Sequence, residues 1–479
     1  MSNLFWFVIA YWAIFVIVGI VASLKVRNAS DFAVAGHSLP IYMVTATVFA
    51  TWFGAEAVLG APAVFLKEGL SGIVADPFGS SMCLILVGLF FARPLYRKKF
   101  ITIGDFYREK YGRTVEVLVT VCIIVSYLGW VAAQIKALGL VFNVVSDGAI
   151  AKQTGMMIGA ASVLVYTLFG GMWAVAITDF VQMIIIMIGM LLIAGEMTSM
   201  TGGVTSVITK ASQAGLFEFW PEMNAAAILG FAAALFTMML GSIPQQDVFQ
   251  RVTSSKNENI AMVGSILGGS LYFLFAFVPI FLAYSATIVD PVLVDTHLHT
   301  DSQMILPSMI LAHSSPFIQV MFFGALLSAI LSCSSATLLA PSVSFSENII
   351  KGYFSHLSSR QLLTVMRITV LCFAILITLF AVNSDLSIFK MVESAYKVTL
   401  VAAFVPLAFG VYWKHANPIG GLLSVVFGLT VWIACEILYP EAVMPPQLAG
   451  LLASILGMWI GGRLIPDAKL RTVSGLSRQ

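Results

Sequence analysis

One stretch, residues 41–66, constrains the fold more than any other, because it is apolar enough to cross a bilayer yet carries residues that lipid-facing helices avoid. It reads IYMVTATVFATWFGAEAVLGAPAVFL. A carboxylate such as Glu56 is costly at mid-membrane unless it faces a partner or a wet cavity. Gly54, Gly60 and Pro62 weaken the helix, and backbone groups freed at that depth need protein or water as partners. The pattern predicts either a broken helix that forms a transport site or a glycine-rich helix packed tightly against its neighbours.

Composition places this stretch in a polytopic membrane protein. The chain has 479 residues, of which 59% are hydrophobic and 10% are charged, whereas soluble domains carry about 25% charged residues. The net charge of +2 gives no reason to expect a nucleic-acid partner. All five cysteines fall within apolar segments, which favours buried thiols over disulfides or a metal site. No HExxH, GxSxG or P-loop motif is present, so we do not expect an enzyme.

Thirteen apolar segments are each long enough to cross a bilayer, at about 20 residues per span. We therefore predict an all-α membrane protein in which residues 1–479 form a single transmembrane domain. The predicted helices lie near 4–24, 41–66, 73–92, 115–145, 156–176, 178–198, 224–250, 260–286, 316–348, 361–383, 387–413, 417–439 and 447–465. The longest non-helical stretches are expected near 99–114, 199–223 and 287–315.

The distribution of basic residues predicts the orientation in a plasma (inner) membrane. With the N-terminus outside, nineteen of the 25 Lys and Arg residues lie on the inner side and three lie within spans. The other three, Lys67, Lys152 and Lys210, lie outside. The positive-inside rule then places the N-terminus outside and the C-terminus in the cytoplasm.

A second interrupted helix is predicted at 224–250, where an apolar run meets GSIPQQD at 241–247. Broken spans at corresponding positions of two halves indicate a transporter site. Five predicted helices start with each broken span, which fits two inverted five-helix repeats at 41–198 and 224–413. One flanking helix, 4–24, would precede these repeats, and two more, within 417–465, would follow them.

Five motifs, in this order, resemble those of the sodium:solute symporter family: DFAVAGHSLP (31–40), ATWFGAEAVLGAP (50–62), YTLFGGMWAVAITDFVQ (166–182), IPQQDVFQRV (243–252) and GALLSAILSCSSA (324–336). The resemblance implies a leucine-transporter (LeuT) fold with extra flanking helices, and a cation-coupled symporter that imports a small organic solute. The motifs ATW at 50–52, GLFFARP at 88–94 and KALG at 136–139 are most similar to the high-affinity choline transporter branch. Bacterial proline and pantothenate carriers are more distantly similar.

The resemblance also implies a sodium site between the first broken helix and the ninth span. Carried over by motif, its members are Ala50, Phe53, Ala325, Ser328 and Ala329. Many family members have a second hydroxyl where this chain has Ala329, so sodium and proton coupling both stay open. The serines of the ninth span are otherwise explained as small residues that pack helices together.

Asp179 and Ser332 correspond to residues of a second sodium site in some members of the family. We expect a single functional sodium here, because Leu331 stands where a further serine would help. Asp179 is therefore predicted to act in the inner gate or exit path.

For the substrate, the resemblance places Trp52 and Trp130 at two positions of an aromatic cage, where ring faces attract a quaternary ammonium. Gln245 replaces a third cage tryptophan, while Glu56 and Asp76 add carboxylates. This set predicts an amine-bearing or zwitterionic solute, either choline-like or amino-acid-like. Ordinary packing of the two tryptophans is the alternative.

Three further alternatives remain at this stage. Glu56 could take up a proton and couple transport to a proton gradient. A non-transporting membrane sensor is a second class, because some relatives of the implied family carry this fold fused to a histidine kinase. A passive channel is the third, and loss of flux on collapse of the ion gradient would separate it from a symporter.

Overall fold

The computed structural model describes residues 3–354, 356–440 and 442–464. Within these ranges the chain is mostly helical and has no β-strand. The α-helices are α1 Asn3–Ala22, α2 Ala29–Val34, α3 Ile41–Trp52, α4 Ala61–Gly72, α5 Ser80–Leu86, α6 Ala92–Tyr96, α7 Ile103–Tyr111, α8 Arg113–Val145, α9 Lys152–Thr201, α10 Val204–Gln213, α11 Ala225–Gly241, α12 Gln246–Ser254, α13 Glu258–Val289, α14 Pro291–Thr300, α15 Ile305–His313, α16 Pro316–Ser344, α17 Lys351–Tyr353, α18 Ser359–Val382, α19 Ile388–Ala395, α20 Lys397–Thr399, α21 Val405–Tyr412, α22 Pro418–Leu438 and α23 Pro446–Leu464. Wider π-helical turns cover Glu56–Gly60, Val74–Gly79, Val87–Phe91, Phe345–Ile350 and Leu400–Phe404.

Nine of the described helical runs are long and apolar enough to cross a membrane, and two bent helix pairs raise the number to eleven. The bent pairs are the two broken helices that the sequence predicts. Ile41–Trp52 meets Glu56–Gly72 at 53°, and Ala225–Gly241 meets Gln246–Ser254 at 42°. The run Pro316–Tyr353 is the most buried of the nine, so α16 lies at the centre of the bundle.

The boundary predicted between the helices 156–176 and 178–198 is misplaced. The run α9 is interrupted at Gly171, where φ is 49° and ψ is −146°. Only glycine adopts such a backbone conformation readily. A Cβ atom at Gly171 would also overlap the backbone and ring of Phe32 on α2. The bend therefore follows from close packing against α2.

The three stretches expected to lack helix also differ from the prediction, because each contains short helices. The segment 287–315 folds into α14 and α15. Asp290 caps α14 by accepting a 3.0 Å hydrogen bond from the amide of Leu293, and Pro291 occupies the first turn. This N-terminal cap and the proline stabilise a helix in a segment whose polar composition predicts a loop. The predicted cytoplasmic C-terminus, residues 465–479, lies outside the described residues.

A short backbone junction ties together the two broken helices at one end. Leu39, just before α3, donates its amide to the carbonyl of Ser254 at 2.9 Å, and it accepts from the amide of Lys256 at 3.0 Å. Leu39 and Ser255 thereby form an isolated parallel bridge. The start of α3 and the end of α12 are thus fixed to each other.

Candidate binding site between the broken helices

The first break, residues 53–55, redirects two backbone amides. Gly54 donates its N–H to the carbonyl of Trp52 at 3.0 Å, and Ala55 donates to Oε1 of Gln134 on α8 at 2.9 Å. In an uninterrupted helix these amides would donate to the carbonyls of Ala50 and Thr51. The break therefore leaves those two carbonyls without their usual intrahelical donors.

Glycine is required at the centre of this break. A Cβ atom on Gly54 would lie 2.9 Å from Sγ of Cys333, Oε1 of Gln134 and Oε2 of Glu56. Contacts this short are essentially absent between real side chains, so α8 and α16 approach the break closely only because residue 54 has no side chain. Cys333 on α16 therefore faces the first break.

Two carboxyl groups are buried beside the first break. Glu56 accepts hydrogen bonds from Nε1 of Trp130 at 3.1 Å and from Nε2 of Gln134 at 2.7 Å. Asp76 accepts from the hydroxyl of Tyr272 at 2.5 Å, while its Oδ2 has no hydrogen-bond partner among the described residues. Within that part of the chain neither acid forms an ion pair. The two predicted substrate acids are thus buried next to neutral partners.

Three aromatic rings meet next to these acids. The centroids of Trp52 and Trp130 are 5.4 Å apart, and Tyr396 lies 6.1 Å from Trp52 and 5.6 Å from Trp130. The indole N–H of Trp52 and the hydroxyl of Tyr396 are both buried without a hydrogen-bond partner among the described residues. The structure brings together the two predicted cage tryptophans and adds Tyr396 as a third ring.

Sequence reasoning missed Tyr396. The signal for it was a tyrosine within the predicted helix 387–413, three residues after Glu393. The neighbouring Lys390, Glu393 and Lys397 recur at spacings of three and four, a pattern that favours an ion-pair cluster over a binding site. In the structure Lys397 pairs with Glu436 at 3.5 Å.

The second break, residues 242–245, is filled by hydrogen bonds to side chains. Gln245 is buried and donates to Oγ of Ser126 on α8 at 2.8 Å and to Oγ1 of Thr399 on α20 at 3.4 Å. Thr399 in turn donates to the carbonyl of Gly241 at 2.7 Å. The predicted substrate residue Gln245 therefore joins the second break to α8 and α20.

Arg251 connects the two broken helices close to their breaks. Sequence reasoning missed this role. Its side chain is 1% exposed. It donates to Oγ1 of Thr51 at 2.7 Å and to the carbonyl of Asp247 at 3.0 Å. Asp247 accepts from the hydroxyl of Tyr127 at 2.5 Å. A buried cation thus crosslinks α3 and α12.

The predicted gate residues also meet. Ser332 on α16 donates to Oδ1 of Asp179 on α9 at 2.6 Å, and Thr47 on α3 donates a short hydrogen bond to Oδ2 of the same carboxylate. All three residues are fully buried. Three helices therefore present a cluster of oxygen atoms around Asp179.

Two of the predicted sodium residues on α16, Ala325 and Ser328, contact other helices. The Ser328 hydroxyl forms a short hydrogen bond with the hydroxyl of Tyr11 on α1, and Ala325 packs against Gly189 on α9, where an added Cβ would be 3.0 Å away. Residues four apart share a helix face, so Cys333 brings Ala329 to the side that faces the break.

A family model and several known transporters are similar to this chain. A family model described as the sodium:solute symporter family matches residues 32–428. The human high affinity choline transporter 1 is 28% identical over 445 residues, which cover 88% of this chain and 75% of that protein. The osmoregulated proline transporter OpuE of Bacillus subtilis is 23% identical, with coverage of 93% and 92%.

Among solved structures, a Na⁺-coupled sialic acid symporter in a substrate-bound outward-open state is similar, with a TM-score of 0.83. The match covers 97% of this chain and 98% of that one, at 18% sequence identity. At that identity the likeness concerns the fold alone.

Proposed function

This chain belongs to the sodium:solute symporter family and is a sodium-coupled transporter of a small organic solute, not an enzyme, and we propose that the solute carries a positively charged amine. The observation that carries this proposal is the meeting of three buried rings with two buried acids. The rings of Trp52, Trp130 and Tyr396 attract cations through their faces. Glu56 and Asp76 lack a cationic partner within the described residues. An ammonium group would satisfy both features at once.

Uptake by proteoliposomes tests this proposal. Radiolabelled choline, glycine betaine and proline are offered in turn, with an inward sodium gradient or with potassium in its place. We expect uptake of at least one of these amines that requires the sodium gradient. In a wider screen of sugars and carboxylates, transport restricted to solutes that lack an ammonium group would overturn the proposal.

For sodium we propose a site at the first break, where the broken helix meets α16. The implied carbonyl ligands on the broken helix are Ala50 and Phe53, and the redirected amide of Gly54 supports the availability of Ala50. On α16 we propose Ala329 and Ser332 in place of the Ala325 and Ser328 that the motif first implied, because the Ser328 hydroxyl contacts Tyr11, whereas Ser332 lies beside the carboxylate of Asp179, which attracts a cation. Carbonyl and hydroxyl oxygens suit a hard cation such as sodium.

We further propose that the cluster around Asp179 couples ion binding to the inner gate. Ser332 bonds to Asp179 and is also a proposed sodium ligand, so a change in sodium occupancy alters the partner of that carboxylate. Thr47 extends the link to α3. Binding of sodium would then tighten binding of the solute, and binding of the solute would tighten binding of sodium by the same factor.

Proton coupling through Glu56 is the second candidate, and one observation favours it. Glu56 is 4% exposed and its hydrogen-bond donors, Trp130 and Gln134, are neutral. Uptake driven by a proton gradient in sodium-free buffer, and lost in Glu56→Gln, would identify this mechanism.

For topology we propose thirteen spans, with the N-terminus outside and two inverted five-helix repeats, 41–198 and 224–413. The described helices supply up to eleven spans, and the remaining two would be the first part of α9 and α23. Cysteines introduced at His299 and Lys414 test the orientation. We expect His299→Cys to react with an impermeant maleimide from outside and Lys414→Cys only from inside. The reverse pattern would contradict the span count.

A further inference from the structure

A cavity of about 630 Å³ opens where α4 faces α19, at the end of the bundle that we propose as the outer one. We call it the outer vestibule and define it by Lys67, Glu68, Lys390 and Glu393, which line it together with Gly60. Lys67 and Glu68 belong to α4, and Lys390 and Glu393 belong to α19. Both walls therefore carry one positive and one negative side chain.

These four side chains are not neutralised by one another. In the described part of the chain, none of them forms an ion pair within 4.0 Å or a side-chain hydrogen bond. Other outer-side charges do pair, as Lys152 does with Asp301 at 3.0 Å. The four side chains of the outer vestibule therefore have no direct polar partner among the described residues.

The outer vestibule leads toward the aromatic rings. A Cβ atom on Gly60 would lie 3.3 Å from Cβ of Phe389, so the broken helix and α19 touch at its floor. Phe389, Glu393 and Tyr396 are spaced by four and three residues, which places them on one helix face. Glu393 therefore lies between the floor residue Phe389 and the ring of Tyr396 along the chain.

We propose that the outer vestibule is a first binding site for a zwitterion, whose ammonium group pairs with Glu393 and whose carboxylate pairs with Lys390. This deepens the proposed function, on which it rests, by choosing a zwitterion over a simple ammonium ion. Lys390 and Glu393 are three residues apart on one helix, so both ends of a small zwitterion can reach them together. The lining also includes Glu68 and Glu222. A simple cation could use only the glutamates, whereas a zwitterion also engages a lysine.

Glycine betaine and choline are matched probes, because both carry a trimethylammonium group and only glycine betaine carries a carboxylate. Sodium-driven uptake of each, and of proline, is measured in Lys390→Met and Glu393→Gln. For Lys390→Met we expect the half-saturating concentration of glycine betaine and proline to rise about two- to fivefold, the range for an accessible ion pair. For choline it should stay constant or fall. For Glu393→Gln all three probes should weaken.

Two controls keep the result specific. Lys210→Met removes an exposed lysine of α10 that does not line the outer vestibule, and it should change none of the three values. Lys390→Arg retains the charge and should restore the uptake of glycine betaine and proline. Thermal unfolding of each variant verifies that the fold is intact.

The possible failures are distinguishable. If wild-type protein takes up none of the three probes, the proposed amine specificity fails together with this inference. If wild-type protein transports the zwitterions but Lys390→Met and Glu393→Gln behave like wild type, only the outer site is overturned. An equal effect of Lys390→Met on choline and on glycine betaine would also overturn it.

Discussion

The two broken helices use the backbone at their breaks in different ways. At the first break the amides of Gly54 and Ala55 turn away from the carbonyls that precede them, and two buried acids stand beside the opening. At the second break, Thr399 caps the carbonyl of Gly241, and Gln245 bonds to Ser126. This difference supports our proposal that the first break receives a ligand, whereas the side chains around the second break join neighbouring helices.

Side chains on one face of helix α8 form hydrogen bonds to residues around both breaks. Ser126 and Tyr127 bond to residues around the second break, while Trp130 and Gln134 bond to Glu56 beside the first. Their spacing of three to four residues follows the helical repeat. A ligand at the first break therefore contacts the same helix that fixes the second.

The largest expected effect comes from Gly54→Ala, which places a methyl group 2.9 Å from three heavy atoms of the first break. Overpacking of this kind costs about 1–3 kcal/mol, and it would displace the ligands, so we expect sodium-driven uptake to be lost. Uptake in proteoliposomes and thermal unfolding are the measurements. Gly195→Ala on α9 is the control, because an added Cβ there meets nothing within 4 Å. Full activity of Gly54→Ala would show that the side chains around the first break are not closely packed.

The next effect distinguishes the two serines of α16. Ser332→Ala removes a proposed sodium ligand, and a lost hydrogen bond or ligand oxygen to a charged group corresponds to about a tenfold or larger rise in the sodium concentration for half-maximal uptake. Ser328→Ala, whose hydroxyl contacts Tyr11 on α1, should leave that concentration unchanged. Sodium titration of uptake gives both values. A larger rise for Ser328→Ala than for Ser332→Ala would instead support Ser328 as the sodium ligand, as the sequence motif first implied.

A smaller effect is expected when the ring cluster is opened. Trp52→Ala or Trp130→Ala should weaken binding of an ammonium substrate by about 0.5–2 kcal/mol, the size of a cation–π contact. Gln245→Leu, at the second break, should lower the melting temperature while the affinity of the surviving protein stays the same. Substrate titration of thermal unfolding measures both quantities. Equal losses of affinity in the tryptophan variants and in Gln245→Leu would remove the functional distinction between the breaks.

The smallest effect concerns the cap of the second break. Thr399→Val removes the hydroxyl that donates to the carbonyl of Gly241, and we expect a loss of about 1 kcal/mol of stability. Thr378→Val on α18 is a matched control, because its hydroxyl bonds only within its own helix. Calorimetric unfolding in detergent compares the two. A large rise in the substrate concentration for half-maximal uptake in Thr399→Val would assign the second break a direct role in binding.

Both broken helices could be predicted from sequence because their causes are local. Gly54, Glu56 and Pro62 interrupt the first apolar run, and Gly241 and Pro244 interrupt the second. Glycine and proline weaken a helix through the local backbone, so their effect can be read from the sequence. The confirmed membership of the symporter family likewise rests on short motifs that are read directly from the chain.

Features set by distant contacts could not be predicted in the same way. The orientation of Ser328 depends on Tyr11, 317 residues away in sequence. The burial of Arg251 depends on the hydroxyl of Thr51, 200 residues away. Neither partner leaves a pattern in the local sequence. The bend at Gly171, which depends on Phe32, was misplaced for the same reason.

The bridge between Leu39 and Ser255 has a mechanical consequence. Main-chain hydrogen bonds join the start of α3 to the end of α12, and the guanidinium of Arg251 ties Thr51, at the opposite end of α3, to the same helix α12. Two helices that are joined at both ends of one of them are held as a rigid pair. A displacement of α3 is therefore passed on to α12, and so from the first proposed repeat to the second.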